Sequence, residues 1–186
     1  MKKGFTLIEV VITLTIATLL FLVSASVYVT SQSAYRSTNT KGELTQNGRV
    51  ILDRIARELR QAPGVVTPLP ATNNDPETIP DEIIFQDGHD SSQVQYIRYY
   101  LDGTDVKRQI LGYILPGAVE PYIYQYQSAV DQYGQPAVPL TLEDKLAGEN
   151  FSDLEFWGDR LININLYLSK DSQTETINTS IFGRNL

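Results

Sequence analysis

The first side chain with chemistry to explain is the carboxylate of Glu9, because it lies inside an apolar run. That run extends from Phe5 to Val29, and Glu9 is its only charged residue. A charge inside a membrane helix is costly unless it is paired, which marks Glu9 as a functional candidate. A cut after Gly4 would free the amine of Phe5, four residues away. Glu9 could pair with that amine or with the amine of a neighbouring chain, and an intermolecular pair would favour one axial register.

The single histidine, His89, lies in a polar segment that reads Asp-Gly-His-Asp-Ser-Ser over residues 87–92. A Ser/His/Asp arrangement can be drawn from it, but a triad also needs an oriented base and an oxyanion hole, and neither is indicated. A polar turn explains the segment, so we predict no enzyme. Zinc is not expected either, because the chain has one histidine and no cysteine.

Two acidic clusters raise the question of calcium, which prefers oxygen ligands. One contains Asp87 and Asp90, and the other contains Asp144, Glu149 and Asp153. Neither has the ligand spacing of an EF-hand, and turn formation explains acidic residues in loops. We therefore predict no cofactor, with calcium at these residues as the alternative.

A tyrosine-rich segment suggests a contact surface. Tyr122, Tyr124 and Tyr126 alternate and would project from one face of a strand, and Tyr133 follows. Tyrosine suits protein contacts because its ring adds contact area at small entropic cost. Packing over the sheet is the competing interpretation.

These residues need an anchor and a folded domain to position them. Twenty-five residues from 5 to 29 give roughly 37 Å of helix, enough to cross a ~30 Å hydrocarbon core. Lys2 and Lys3 precede this helix, so the positive-inside rule predicts a single-pass protein of the cytoplasmic membrane with its N-terminus in the cytoplasm and the remainder outside. A conventional signal peptide cut near Ala25 is the alternative, although the carboxylate and the length of the run argue against it. An uncleaved anchor would explain the lysines but not Gly4 or Glu9.

An amphipathic helix over residues 30–62 is predicted to continue the anchor. Its apolar stripe recurs at spacings of three and four, through Leu44, Gly48, Ile51, Ile55, Leu59 and Ala62. Asp53 with Arg57 and Arg54 with Glu58 are i,i+4 pairs of opposite charge that we place on the outer faces. Pro63-Gly64 ends the pattern.

Residues 63–186 are predicted to form an antiparallel β domain with one sheet on which the helix packs, which makes the chain α+β. Val65–Pro80 is rich in proline and reads as an irregular connection. Trp157, next to Phe156, is expected in the core. The predicted strands are Glu82–Gln86, Val94–Leu101, Val106–Ile110, Ile162–Leu168 and Thr176–Phe182.

The composition agrees with one folded domain and argues against some partners. The chain has 186 residues, no cysteine and a formal net charge of −7. The absence of cysteine excludes disulfides. The negative net charge repels phosphate backbones, and nucleic acid is therefore not a predicted partner.

The segment Lys-Gly-Phe-Thr-Leu-Ile-Glu at residues 3–9, followed by the apolar run, resembles the prepilin cleavage and methylation signal of type IV pilins. In that family a membrane peptidase cuts after the glycine and methylates the new N-terminal phenylalanine. The resemblance implies a leader of residues 1–4 with Lys2 and Lys3 as its basic residues, cleavage between Gly4 and Phe5, and a role for Glu9 in assembly. It also implies three partners, namely the prepilin peptidase, other major and minor pilin subunits, and the cytoplasmic membrane.

Two further segments resemble minor subunits of the W type in pili or of the J type in type II secretion. They are residues 52–62 and residues 99–103, the latter followed by Lys107-Arg108. This resemblance implies a pilin-like fold and a minor subunit that initiates or caps a type IV pilus, a secretion pseudopilus or a DNA-uptake filament. The alternatives from other classes are a secreted binding domain and an anchored envelope enzyme that uses His89 or a carboxylate cluster.

Overall fold

The structure is a computed structural model that describes residues 6–89, 94–116, 130 and 133–183. It contains one long helix, a short 3-10 turn and seven strands. The helix is α1 (Leu7–Gln61), and the 3-10 turn is Pro76–Thr78. The strands are β1 (Glu82–Gln86), β2 (Gln95–Asp102), β3 (Asp105–Ile114), β4 (Val138–Glu149), β5 (Phe151–Trp157), β6 (Leu161–Lys170) and β7 (Gln173–Phe182). The prediction of an α+β fold with one long N-terminal helix is confirmed.

The chain divides into two compact units, residues 1–41 and residues 42–186. The described part of the first unit is helical apart from Thr6, and almost every side chain in it is exposed. The second unit contains the last third of α1 and all seven strands. Its helical part ends at Gln61, just before Pro63-Gly64, where the sequence predicts the helix to stop.

The strands form two antiparallel sheets rather than the single sheet that was expected. One sheet has the order β1-β2-β3-β4, and the other has the order β5-β6-β7. The chain passes between them at Asn150, whose positive φ of 68° reverses its direction. Backbone hydrogen bonds from Phe151 to Thr104 and from Ser169 to Asn150, both 2.9 Å, join the sheets at this point.

β4 and β5 are absent from the predicted strands because their sequences obscure the alternation of a regular strand. In β4 the pairing with β3 shifts register twice, at Leu142 and at Ala147, so that two residues oppose one. Pro139 interrupts the run as well. The five strands that were predicted coincide with β1, β2, β3, β6 and β7 to within a few residues at each end.

One core holds the second unit together. The predicted stripe of α1 is buried against residues of both sheets, among them Phe85 and Tyr99 from the first sheet and Phe156 from the second. Gly48 brings α1 close to β6 and β7, because an added Cβ would lie 2.5 Å from the Cδ1 of Ile177. Trp157 was expected in this core but lies outside it. It is half-buried on the opposite face of β5, since neighbouring strand residues point to opposite sides.

Candidate functional site at the N-terminus

Thr6 and Glu9 form a capping box at the start of α1. The backbone N–H and the hydroxyl of Thr6 donate to Oε2 of Glu9 at 2.8 and 2.9 Å. In return the N–H of Glu9 donates to the Thr6 hydroxyl at 3.4 Å. These reciprocal bonds satisfy two donors that the first helical turn would otherwise leave unpaired. The spacing Thr-x-x-Glu carries this signal in the sequence, and reasoning from charge alone misses it.

The carboxylate of Glu9 keeps acceptor capacity beyond the cap. Both donors from Thr6 reach Oε2, whereas the described residues place no donor on Oε1. An ionised carboxylate has room for several donors on its two oxygens. The local geometry therefore allows Glu9 to cap its own helix and to accept a hydrogen bond from an amine at the same time. The predicted processing site lies outside the described residues, because these begin at Thr6. This applies to Gly4 and Phe5 and to the leader lysines Lys2 and Lys3.

The helix after Glu9 has the character of a membrane segment. Of the described part of the chain, α1 is the one helix that is long and apolar enough to cross a bilayer. Its apolar side chains between Leu7 and Val29 are all exposed rather than packed against protein. The hydroxyls of Thr13, Thr15 and Thr18 donate to carbonyls one turn earlier at 2.7 to 2.9 Å, so they present no unpaired donor to lipid. This helix is consistent with membrane anchoring.

Comparison with known families identifies the same segment. Residues 1–25 match the family model described as the prokaryotic N-terminal methylation motif. The chain carries a prepilin-type signal. This signal indicates a type IV pilin-like or pseudopilin-like protein, and it implies processing by a prepilin peptidase and assembly with pilin subunits. Proteins with this prepilin signal are structural rather than enzymatic. No curated protein and no solved structure matches the chain.

The remaining candidate sites are dispersed over the second unit. Tyr133 is exposed, but Tyr122, Tyr124 and Tyr126 lie outside the described residues, so the proposed tyrosine face stays a prediction.

The acidic residues considered for calcium do not share one loop. Asp144 lies within β4 and accepts from Gln109 at 2.9 Å. Asp153 lies in β5 and accepts from the N–H of Leu154 at 2.8 Å, while Glu149 is the last residue of β4. Within residues 6–89, 94–116, 130 and 133–183, no three His, Cys, Asp or Glu side chains come together as metal ligands. Of the first cluster, Asp90 is not among the described residues.

His89 belongs to a tight turn. Its backbone N–H donates to Oδ1 of Asp87 at 2.9 Å, and its Nδ1 lies 2.7 Å from the same oxygen. Gly88, between them, lies so close to the carbonyl oxygen of Gln61 that no Cβ would fit. The turn therefore packs against the end of α1. This packing is a sufficient reason for Asp87, Gly88 and His89 to occur there.

A buried polar cluster at Glu58 was not predicted. Glu58 accepts from the Tyr99 hydroxyl at 2.7 Å and from Nε of Arg108 at 3.1 Å, and Arg108 also donates to Glu143 at 3.3 Å. No ion pair joins Asp53 and Arg57 within the described residues, whereas the predicted pair of Glu58 with Arg54 is present at 3.5 Å. Its placement on the outer face is wrong, because the Glu58 side chain is only 11% exposed and faces β2 and β3.

The cluster perturbs the titration of its members. Burial, followed by the charge of Glu58, raises the pKa of Tyr99 well above its ordinary value. Burial lowers the pKa of Arg108, but the hydrogen bond and charge of Glu58 outweigh it, and the pKa rises overall. Arg108 therefore remains charged over the physiological range, and its contact with Glu58 joins the end of α1 to the first sheet.

Proposed function

We propose that the protein is a minor pilin or pseudopilin, a structural subunit of a type IV pilus, a type II secretion pseudopilus or a related filament. The observation that carries the proposal is the methylation motif at residues 1–25 with Glu9 at the start of an exposed apolar helix. The resemblance of residues 52–62 and 99–103 to W-type and J-type subunits supports a role in initiation or at the tip.

In this proposal each segment has a task. Residues 1–4 are the leader, residues 5–29 anchor the chain, and residues 30–62 and 63–186 lie outside the cytoplasmic membrane. The peptidase cuts after Gly4 and methylates Phe5. Oxygen Oε1 of Glu9 then accepts from the Phe5 amine of a neighbouring subunit, and a paired charge in lipid favours one register of packing.

The mass of the mature N-terminal peptide tests the proposal. It is compared between cells with and without the prepilin peptidase. We expect a chain that begins at methylated Phe5 only when the peptidase is present. A chain that begins near Ser26 would instead identify a secreted domain cut near Ala25, and an intact Met1 would leave only a membrane anchor.

Three variants separate the two roles of Glu9. Glu9→Ala removes both cap and charge, Glu9→Gln keeps the cap but removes the charge, and Thr6→Val weakens the cap but keeps the charge. We expect all three proteins to insert into the membrane, and only Thr6→Val to be incorporated into filaments at a normal level. Normal incorporation of Glu9→Gln would show that capping is the only task of Glu9, and the amine pairing would be discarded.

A further inference from the structure

The second sheet has a polar outer face that carries the single tryptophan of the chain. Its side chains alternate with the buried ones, so they point away from α1. Cross-strand pairing aligns Trp157 of β5 with Asn163 of β6, and Asn163 with Ser180 of β7. The next row on the same face consists of Glu155, Asn165 and Asn178. One aromatic ring therefore lies beside two rows of amide, hydroxyl and carboxylate groups.

The irregular connection before β1 completes a shallow pocket on this face. The N–H of Gly158 donates to the carbonyl oxygen of Pro70 at 2.8 Å, which ties the connection to the end of β5. Asn73, three residues further on, lines a pocket of about 270 Å³ together with Trp157 and the residues of β6 and β7 in the two rows. This volume lies just below the roughly 300–1,000 Å³ of sites for drug-sized ligands, so the pocket has room for one small ring.

Three polar groups of the pocket are available to a ligand. Within the described part of the chain, neither the side-chain amides of Asn73 and Asn178 nor the indole N–H of Trp157 has a hydrogen-bond partner. An amide side chain offers two N–H donors and a carbonyl acceptor, and an indole offers one donor. Trp157 is half-buried, so part of its ring also gives the pocket an apolar surface. The pocket can therefore combine hydrogen bonds in both directions with one aromatic contact.

The other amides of the pocket are held in place, and its charge selects against anions. Asn163 accepts from the Ser180 hydroxyl at 2.6 Å, and Asn165 donates to Glu155 at 2.8 Å. The described residues that line the pocket include no charged side chain. Residues 63–186 contain seven Lys and Arg against eighteen Asp and Glu, which repels an anionic ligand. These features favour an uncharged polar ligand over a phosphate or a polyanion.

We propose that this pocket binds an N-acetylglucosamine unit of the β-1,4-linked glycan of the cell wall. The hydroxyls of this pyranose are equatorial, so its axial C–H groups form an apolar face that can stack on the indole of Trp157. Its acetamide group has one N–H donor and one carbonyl acceptor, which complement the free amides of Asn73 and Asn178. The choice of the cell wall rests on the proposed function, because that function places residues 63–186 outside the cytoplasmic membrane, where this glycan lies.

The fluorescence of Trp157 tests the proposal in the full chain, since this residue is the single tryptophan. The chain is kept in lauryldimethylamine N-oxide, a detergent without a sugar headgroup that could compete. Titration with tetra-N-acetylchitotetraose should give a saturable change in emission, with a Kd on the order of 1 mM for one ring in a shallow pocket. Cellotetraose has the same linkage but a hydroxyl in place of each acetamide, and it should bind at least about tenfold more weakly. No saturable change, or equal binding of the two sugars, would overturn the proposal.

Two matched pairs of variants locate the site. Asn178→Ala and Asn73→Ala each remove one free amide from the pocket, and each should weaken the binding of tetra-N-acetylchitotetraose about tenfold. Their controls are Thr174→Ala, on the same face of β7, and Asn74→Ala, next to Asn73 in the connection. All four side chains are exposed, so the folded state should be unaffected, and the controls should bind like the wild-type chain. Equal weakening in a variant and its control would overturn the assignment to this pocket.

Pelleting with isolated cell-wall sacculi tests the source of the glycan. Sacculi stripped of attached proteins should carry down the wild-type chain, and an excess of tetra-N-acetylchitotetraose should release it. Asn178→Ala should remain in the supernatant, whereas Thr174→Ala should pellet. Binding of the free oligosaccharide without pelleting would overturn the assignment to the cell wall. None of these readouts depends on cleavage after Gly4, so their failure is distinguishable from failure of the proposed function.

Discussion

The first and last parts of α1 have the same backbone structure but opposite surroundings. Apolar residues from Leu7 to Val29 lie on all sides of the helix and are exposed. From Leu44 to Ala62 all of them except the exposed Val50 lie on one side, and most of those are completely buried. The two parts differ in apolar content, with 17 apolar residues of 23 against 8 of 19, and in the angular distribution of those residues. A helix that is apolar all round suits lipid, whereas a stripe suits a protein core.

The comparison also shows how polar groups are treated in each part. In the first part they satisfy one another within the helix, as in the Thr6–Glu9 cap. In the second part Glu58 reaches across to residues of the sheet. Variants that act on one part and spare the other can therefore test the division, using the fluorescence of Trp157, the single tryptophan, to follow unfolding of the second unit.

Leucine truncation should give the largest difference. Leu59 is 0% exposed, so Leu59→Ala should lower the free energy of unfolding of the second unit by about 3 kcal/mol through lost burial and a cavity. Leu19 is 57% exposed, and Leu19→Ala should leave that free energy unchanged. Denaturant unfolding of both variants in detergent measures the contrast. Equal losses would mean that the two parts of α1 share one cooperative core.

The Glu58 cluster should give the next largest effect. Glu58→Ala leaves the nearly buried Arg108 with only Glu143, and we expect a loss of about 3 kcal/mol. Arg54→Ala removes only the 41% exposed partner of the same carboxylate and should cost about 0.5 kcal/mol. The same unfolding measurement applies. A large loss in Arg54→Ala would show that the outward pair, and not the contact with the sheet, stabilises this end of the helix.

Two glycines of α1 should respond with opposite signs. Gly42 has nothing within 4 Å of an added Cβ, so Gly42→Ala should stabilise by up to about 1 kcal/mol through helix propensity. At Gly48 the Cβ would meet the side chains of Ile177 and Leu168 at 2.5 and 3.1 Å. Gly48→Ala should therefore destabilise by about 1 kcal/mol despite its better propensity. Thermal melts of the two variants provide the test, and shifts in the same direction would refute close packing at Gly48.

Alkaline pH should give an effect of about the same size as the glycine substitutions. Burial and the charge of Glu58 raise the pKa of Tyr99, so above its ordinary value of about 10 the unfolded chain loses this proton while the folded chain keeps it. The unfolded state then binds fewer protons, and stability falls by about 1.4 kcal/mol per pH unit from this group. Tyr99→Phe lacks this contribution. It should be less stable than the wild-type chain at about pH 8, and the gap should narrow by about pH 11. A constant gap would argue that Tyr99 ionises freely.

Local patterns predicted the helix and most strands. The stripe from Leu44 to Ala62 and the stop at Pro63-Gly64 are both signals over a few residues, and the structure confirms them. The division into two sheets depends on long-range packing around Asn150, which no local pattern encodes. β4 was missed because each bulge inverts the alternation that identifies a strand.

The candidate site was predictable to a similar degree. The methylation motif is local, and the match at residues 1–25 agrees with it. Glu58 was placed on the wrong face because its charge was given more weight than its position. It lies three residues after Ile55 and four before Ala62, which is the spacing of the buried stripe. Arg108 could not be assigned as its partner, since 50 residues separate them in sequence.

The irregularities of β4 have a consequence for the behaviour of this protein at high concentration. β4 is the last strand of its sheet, and such an edge can recruit a strand from another molecule. Pro139 lacks an N–H, and the bulges at Leu142 and Ala147 leave four regularly paired residues between them. An incoming strand could therefore form only a short ladder before the register fails. This edge therefore opposes the irreversible fibres that open sheets form when they are concentrated.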